Sequence, residues 1–213
     1  MKYYHGILAV WALVALGCGG GDDIPSEPNG SNDPPEDCAF VFDFESGLDG
    51  WEASGWSRAS DDVYVGSYSV TTGPYTTMER HCSEDLYSYP NRELTLTSGI
   101  DLSRCSSATL TFWHKLRVQT VSGIVGPFCQ WETGLRQGCS VEISLNGGPW
   151  TTLRGFGGIR PEVIDSWTKV TLQLDAYIGP GSTDVRLRFR MTRGYAQWPN
   201  CFWRVDRVGV EGN

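Results

Sequence analysis

Val185-Arg186-Leu187-Arg188-Phe189-Arg190-Met191 alternates apolar and basic residues along its whole length. Successive side chains of a strand point to opposite faces of the sheet, so this period of two predicts a strand with one buried and one solvated face. Arg186, Arg188 and Arg190 then form a basic stripe on the solvated face. Such a stripe either meets acidic partners on neighbouring strands or binds an acidic glycan.

The same alternation recurs through residues 38–213, and no stretch there has a helical period. The apolar positions that share a face are Phe40, Phe42 and Phe44, Leu110 and Phe112, Val141, Ile143 and Leu145, and Val170, Leu172 and Leu174. Asn146-Gly147-Gly148-Pro149 predicts a hairpin turn, because Asn and Gly tolerate positive φ. Eight to ten strands without a helix predict an all-β fold, an antiparallel two-sheet jelly-roll sandwich.

Four blocks in order resemble the jelly-roll domains of exported bacterial proteins. They are Phe42-Asp43-Phe44-Glu45-Ser46-Gly47-Leu48-Asp49-Gly50-Trp51, Gly66-Ser67-Tyr68-Ser69-Val70, Val141-Glu142-Ile143-Ser144-Leu145-Asn146-Gly147-Gly148 and Trp203-Arg204-Val205-Asp206-Arg207-Val208. The resemblance is to MAM-like, galactose-binding-like and choice-of-anchor-type domains, and to accessory domains of immune-inhibitor-A-like and gingipain-like proteases. It implies the same sandwich over nearly all of residues 38–213.

The resemblance also implies a structural calcium ion between the first and last strands. Glu45, Asp206 and, third, Asp43 match the carboxylate positions, and calcium takes six to eight oxygen ligands. Arg207 stands where the family usually has an acid. The alternatives are therefore that Asp43 and Glu45 lie on a solvated strand face, or that Arg207 pairs with one of them instead of a metal.

The N-terminus predicts export and lipidation. Lys2 precedes an apolar run from Ile7 to Leu16, which is too short to span a bilayer. Leu13-Val14-Ala15-Leu16-Gly17-Cys18 resembles a bacterial lipobox, which implies that residues 1–17 are a cleaved signal and that Cys18 carries the lipid. An ordinary signal peptide and a short N-terminal anchor are the alternatives.

Residues 18–37 predict a disordered acidic tether, since they are rich in Asp, Glu, Pro and Gly and nearly devoid of large apolar residues. The residue after Cys18 is Gly19 and not an acidic residue that would signal retention at the inner membrane. The sequence therefore favours attachment to the outer membrane, on either its periplasmic or its cell-surface face. Residues 38–213 would then be the folded domain. Loss of Lys2 leaves 16 basic against 25 acidic residues, so nucleic acid is not an expected partner.

Six cysteines remain if Cys18 is lipidated. An even set in an exported protein predicts three disulfides, and no Cys-x-x-Cys pair points to zinc or redox chemistry. Cys129 and Cys139 are predicted to pair, because the nine residues between them can return the chain to begin a strand. The connectivity of the other four stays open: Cys38, Cys82, Cys105 and Cys201.

Aromatic residues are the candidate ligand contacts. Five fall between turn residues and are predicted to form a binding platform: Tyr87, Tyr89, Trp131, Tyr195 and Trp198. Four others match strands and are predicted to lie in the core: Trp51, Trp113, Trp167 and Trp203. Loop aromatics packed beneath disulfides are the alternative to a platform.

The chain shows no Gly-x-Ser-x-Gly, His-Glu-x-x-His or P-loop motif, and only His81 and His114 lie outside the signal. His114 is predicted to be a structural or surface residue. His81 adjoins Cys82 and could in principle activate its thiol as a nucleophile, but oxidation of Cys82 to a disulfide would remove that nucleophile. The leading hypothesis is a lipid-anchored, non-catalytic module for adhesion to or recognition of a glycan or a surface protein. The alternatives are a hydrolase of cell-surface polysaccharide or peptide, and a structural envelope lipoprotein.

Overall fold

The computed structural model describes residues 38–73, 91–118, 138–157, 162–192 and 201–212. They form eleven strands and one short 3-10 turn, Asp175–Tyr177. The strands are β1 (Ala39–Phe42), β2 (Trp51–Ser54), β3 (Ser57–Ala59), β4 (Ser69–Thr71), β5 (Arg92–Leu96), β6 (Ala108–Val118), β7 (Gly138–Leu145), β8 (Thr151–Gly157), β9 (Glu162–Gln173), β10 (Val185–Met191) and β11 (Phe202–Gly212). None of the helical structure in these ranges is long and apolar enough to cross a membrane.

The strands form two antiparallel sheets. The six-stranded sheet has the order β3-β4-β11-β6-β9, with β1 also paired to β11, and the five-stranded sheet has the order β2-β5-β10-β7-β8. The prediction of an all-β, two-sheet jelly-roll sandwich is confirmed. The predicted signal 1–17, Cys18 and the tether 18–37 lie outside the described residues and stay predictions.

The core lies between the two sheets and is built from the apolar positions of the alternating strands. In β10, Val185, Leu187, Phe189 and Met191 are fully buried. Phe189 meets Phe112 of β6 from the opposite sheet edge-to-face, with 5.1 Å between ring centroids. Burial of each such side chain contributes about 1.5–3 kcal/mol, so these contacts hold the sheets together.

The segment after β1 differs from the predicted continuous strand. β1 ends at Phe42, and Phe44 has a φ of 61° with its side chain fully buried. Asp49 Oδ2 accepts a hydrogen bond from the Phe44 N–H at 2.6 Å, and Asp43 Oδ1 accepts one from the Glu45 N–H at 3.0 Å. Asp43 and Glu45 therefore belong to a turn, and the expectation that they share a solvated strand face is wrong.

The hairpin between β7 and β8 forms at the predicted place. Asn146 and Gly147 have φ values of 51° and 70°, and the Gly148 N–H donates to Leu145 O at 2.9 Å. Positive φ at both central residues matches the right-handed twist of the paired strands.

One disulfide joins described residues, between Cys38 and Cys105, whose Cα atoms are 6.0 Å apart. It links the residue before β1 to the segment before β6. Cys139 is a buried thiol in this structure. Its predicted partner Cys129 lies outside the described residues, as does Cys82, so the Cys129–Cys139 pairing stays a prediction. The strand register places the Cys139 side chain in the core.

Candidate functional site

Residues 60–68, here called the anchored loop, join β3 to β4 and lie over the outer face of the six-stranded sheet. Two carboxylates hold the loop by its backbone. Asp206 Oδ2 accepts from the N–H of Tyr64 at 2.8 Å and of Val65 at 3.3 Å. Glu45 Oε1 accepts from the N–H of Ser67 at 2.9 Å and of Tyr68 at 3.0 Å. The loop is thereby fixed at two points, to the turn after β1 and to β11.

Gly66 allows Glu45 to approach the loop so closely. Its φ is +79°, and a Cβ atom at this position would overlap the Glu45 carboxylate. Side chains other than glycine rarely adopt such a φ and here would also displace Glu45. The Gly-Ser-Tyr-Ser block in the sequence is therefore the part of the loop that receives this carboxylate.

Asp206 and Glu45 lie close enough for their charges to interact. Burial raises the pKa of Asp206, the N–H donors of Tyr64 and Val65 partly offset this, and the charge of Glu45 adds to the rise. Asp206 is fully buried, and its Oδ1 has no hydrogen-bond partner. An orphaned carboxylate oxygen beside a second carboxylate is a polar arrangement that a cation would stabilise.

These residues fit the calcium that the resemblance implies, although they do not make a complete carboxylate cage. No cluster of three His, Cys, Asp or Glu side chains suited to a metal occurs in the described part of the chain. Glu45 and Asp206 supply hard oxygen donors, and the other ligands would have to be carbonyl oxygens or water. The predicted third ligand, Asp43, caps the turn at the Glu45 N–H instead.

Arg207 does not take the place of a cation. It is exposed, has a φ of 47° and lies at the bulge in the pairing of β11 with β6. No ion pair joins it to Glu45 or Asp43 within the described ranges. The alternative that Arg207 neutralises one of these acids is therefore wrong, because the bulge turns residue 207 outward.

The anchored loop brings three aromatic side chains together on the outer face of β6 and β9. Tyr64 stacks on Trp113 with 3.8 Å between ring centroids and 14° between planes, and it lies 6.3 Å from Trp167. Tyr64 is 39% exposed, and Trp113 and Trp167 are partly exposed. We call these three residues the aromatic patch.

The aromatic patch corrects the prediction that Trp113 and Trp167 are core residues. Phe112 fills the core position of β6, and Trp113, its neighbour in an extended strand, must face outward. The alternation contained this signal, because two consecutive residues of a regular strand do not share a face. Trp51 and Trp203 are buried, as predicted.

Charged groups border the aromatic patch. Asp62 accepts from Lys115 Nζ at 2.9 Å and from Trp167 Nε1 at 3.0 Å, so one carboxylate orients a ring of the patch and the lysine beside it. Lys115 is the cross-strand partner of Arg204, which donates to Asp61 Oδ1 at 2.8 Å. The Arg204 guanidinium lowers the pKa of Asp61. The loop acids thus neutralise two adjacent basic residues of the sheet.

The outer face of the five-stranded sheet is occupied by an ion-pair network. Arg188 Nε donates to Glu142 Oε2 at 2.8 Å, and the guanidinium lies 4.3 Å from the ring centroid of Trp150. Arg190 Nε lies 3.3 Å from Glu93 Oε1, and Arg186 Nε lies 2.9 Å from Asp184 Oδ1. Arg188 and Arg190 meet acids of the neighbouring strands, which is the first of the two interpretations of the stripe, whereas the partner of Arg186 directly precedes its own strand.

The five predicted platform aromatics lie outside the described residues: Tyr87, Tyr89, Trp131, Tyr195 and Trp198. The described residues flanking their segments lie at one end of the sandwich. Arg92 pairs with Met191, and Met191 pairs with Cys139, at the start of β7. On the other sheet the Thr72 N–H donates to Trp203 O at 3.0 Å, near the start of β11.

His114 is a core residue. It is 1% exposed, and its ring lies 4.8 Å from that of Phe156 between centroids. Burial lowers the pKa of His114 to about 4, with a smaller contribution from the positive charge of Arg154. A neutral imidazole enclosed by aromatic rings cannot exchange a proton with a substrate, so His114 has a structural role. His81 lies outside the described residues.

No family model matches the chain, and no curated protein matches it in sequence. Solved structures do match it. The CBM22-1–GH10 modules of an endo-1,4-beta-D-xylanase from Clostridium thermocellum, complexed with xylohexaose, align over 82% of this chain and 28% of their own, with a TM-score of 0.48 and 11% identity. The chain thus spans little more than a quarter of that structure.

Two other structures are matched over nearly their whole length. The CBM22-2 xylan-binding domain of Xyn10C from Paenibacillus barcinonensis aligns over 82% of this chain and 99% of its own, with a TM-score of 0.44 and 14% identity. CBM27-1 from Caldicellulosiruptor saccharolyticus, in complex with mannohexaose, aligns over 81% and 96%, with a TM-score of 0.48 and 12% identity. These neighbours are carbohydrate-binding modules, and the xylan and mannan ligands are theirs.

Proposed function

We propose that this chain is a non-catalytic recognition module of MAM-like type whose ligand is a glycan bound at the aromatic patch. The observation that supports this most is the placement of Tyr64, Trp113 and Trp167 together on one outer sheet face beside Asp62 and Lys115. Sugar rings bind such sites through their apolar C–H faces on the aromatic rings and through hydroxyl hydrogen bonds to charged groups. A protein ligand is the alternative within the same class.

The module would be held at the outer membrane by a lipid on Cys18, at the end of the acidic tether 18–37. The lipobox-like segment supports the anchor, and the composition of residues 19–37 supports the tether. On the cell surface such a module would adhere to or retain polysaccharide. The bound calcium, if held by Glu45 and Asp206, would neutralise the two carboxylates that fix the anchored loop.

The test is binding of polysaccharides and oligosaccharides by the exported chain carrying Cys18→Ser, screened on a glycan array and then measured by titration calorimetry. Trp113→Ala and Trp167→Ala are each expected to weaken glycan binding at least about 10-fold, because a central aromatic contact contributes more than about 1.4 kcal/mol to the binding free energy. Trp150→Ala is the matched control, since Trp150 stacks with Arg188 on the opposite sheet.

The outcomes separate the hypotheses. Binding that survives both Trp113→Ala and Trp167→Ala but fails in Trp150→Ala would move the site to the five-stranded sheet. Release of reducing ends or peptides from a bound polymer would favour the hydrolase. No ligand on the array and no partner in a surface pulldown would favour the structural envelope role.

A further inference from the structure

Two buried cysteines face the core from opposite sheets. Cys139 is in β7 of the five-stranded sheet and is 2% exposed, and Cys201, which directly precedes β11 of the six-stranded sheet, is fully buried. Cys38–Cys105 joins the starts of β1 and β6, which both belong to the six-stranded sheet. That disulfide therefore does not connect one sheet to the other.

The strand register places Cys139 and Cys201 in the same layer of the core. Cys139 pairs with Phe156 of β8, so the two side chains share the core face. The Phe156 ring lies 5.8 Å from that of Trp203, between centroids, across the gap between the sheets. Trp203 follows Cys201 by two residues and points to the same side. The Phe156–Trp203 contact thus has a cysteine beside it on each sheet.

The electrostatics agree with this placement. Burial raises the pKa of the Cys139 thiol, and charge on Cys201 raises it further. An effect of one sulfur on the other requires that they lie close together in a region of low dielectric. A buried thiol is protonated and shielded from oxidants in bulk water, so a second cysteine in the same layer of the core is an accessible partner.

We propose that Cys139 and Cys201 form a disulfide that joins the two sheets in the exported protein. Two Sγ–H bonds are lost and one Sγ–Sγ bond forms. The two electrons and two protons pass to the disulfide of a thiol oxidoreductase or of a small-molecule thiol, which is reduced to two thiols. Since burial hinders access, the exchange takes place during folding, before the core closes. Immunoglobulin sandwiches connect their sheets in the same manner.

The bridge would join the ends of two segments that contain three of the predicted platform aromatics. Cys139 closely follows residues 119–137, which include Trp131, and Cys201 directly follows residues 193–200, which include Tyr195 and Trp198. The proposal does not depend on the function proposed above, because it rests on the register, burial and electrostatics of the core.

The test is a peptide map of the exported full-length protein, alkylated at acid pH without reduction and cut with trypsin. Trypsin separates the three relevant cysteines, with Cys129 in residues 118–136, Cys139 in 137–154 and Cys201 in 194–204. The expected product is peptide 137–154 joined to 194–204. Joining of 137–154 to 118–136, or recovery of Cys139 or Cys201 as an alkylated thiol, overturns the proposal.

Variants give a second readout. Cys139→Ser is expected to leave Cys201 open to alkylation after denaturation and to lower the melting temperature by about 5–15 °C, with no further fall in the double variant with Cys201→Ser. Cys129→Ser is the matched control, and it should leave the 137–154 to 194–204 pair intact. If Cys129→Ser instead frees the Cys139 thiol, the proposal fails, even where Cys139→Ser does not fold.

Discussion

At the level of single residues, carboxylates decide how the outer face is built. Asp206 accepts two backbone N–H groups with one oxygen and none with the other, although it is fully buried. Leaving a buried acceptor without a partner costs about 1–3 kcal/mol, so the free oxygen either lowers stability or binds a cation. The charge of Glu45 also acts on Asp206, so a cation bound there would be stabilised by both carboxylates.

Calcium is therefore expected to raise the melting temperature, and a chelator to lower it. Calcium that binds only the folded state stabilises that state by about 2.7 kcal/mol when its concentration is a hundredfold above the dissociation constant. For a chain of this size, this corresponds to a rise in melting temperature of roughly 5–10 °C. Glu45→Gln and Asp206→Asn should abolish the difference in scanning calorimetry. Glu52→Gln, an exposed acid on β2, should keep it. A melting curve indifferent to calcium would rule the metal out.

His114 predicts a loss of stability in acid. Its pKa is lowered to about 4 in the folded state from an ordinary value of 6.5, so the unfolded chain binds the proton first as the pH falls. The stability is fully present above pH 6.5 and declines between pH 6.5 and 4, by about 2–3 kcal/mol at pH 4.5. Urea unfolding at pH 7 and pH 4.5 measures this difference, and His114→Leu should shrink it by that amount.

At the level of elements, the anchored loop converts a plain sheet face into the candidate site. Its backbone is held by Glu45 and Asp206, and its side chains reach the sheet through Tyr64 on Trp113 and Asp62 on Lys115. Strands β6 and β11 supply a rigid base, while the loop supplies the exposed ring. Rigid support of this kind limits the entropy lost on ligand binding.

Gly66→Ala is expected to detach the loop from Glu45. Both Gly66 and Gly73 have positive φ, but a Cβ on Gly66 would meet the Glu45 carboxylate, whereas a Cβ on Gly73 would meet nothing within 4 Å. Gly73→Ala should cost about 1 kcal/mol from backbone strain alone, and Gly66→Ala about 2–3 kcal/mol. Denaturant unfolding and glycan titration compare the two variants. Equal effects would mean that Glu45 does not hold the loop.

At the level of the whole molecule, the first and last described residues lie together. The Cys38 Cβ lies 3.1 Å from the position of a Cβ on Gly212, beside the Cys105 bridge. The predicted tether 18–37 would therefore join the sandwich where β11 ends, and a force on that tether would act on the Cys38–Cys105 disulfide. The disulfide at this position limits the fraying of β1 away from β11.

Cys18→Ser is expected to release the protein from the membrane fraction, because the apolar segment before it is too short to anchor the chain. Fractionation followed by mass spectrometry of the N-terminal peptide measures both the location and the lipid adduct. Cys129→Ser, a cysteine replacement outside the lipobox, is the matched control and should stay in the membrane fraction. Wild-type protein that is retained without a lipid adduct would contradict the prediction.

The sequence by itself determined the strands, because alternation such as that of residues 185–191 depends only on local backbone geometry. It also determined the turn at Asn146-Gly147, because that turn depends only on the positive φ that these two residues tolerate. Tertiary structure alone decided which outer positions form the aromatic patch and which cysteine joins Cys38. It also placed Asp206 beside Glu45. These features arise between residues far apart in the chain, such as Cys38 and Cys105, which are separated by 67 positions. Such residues are brought together by sheet pairing and by the docking of the anchored loop, and not by local conformational preference.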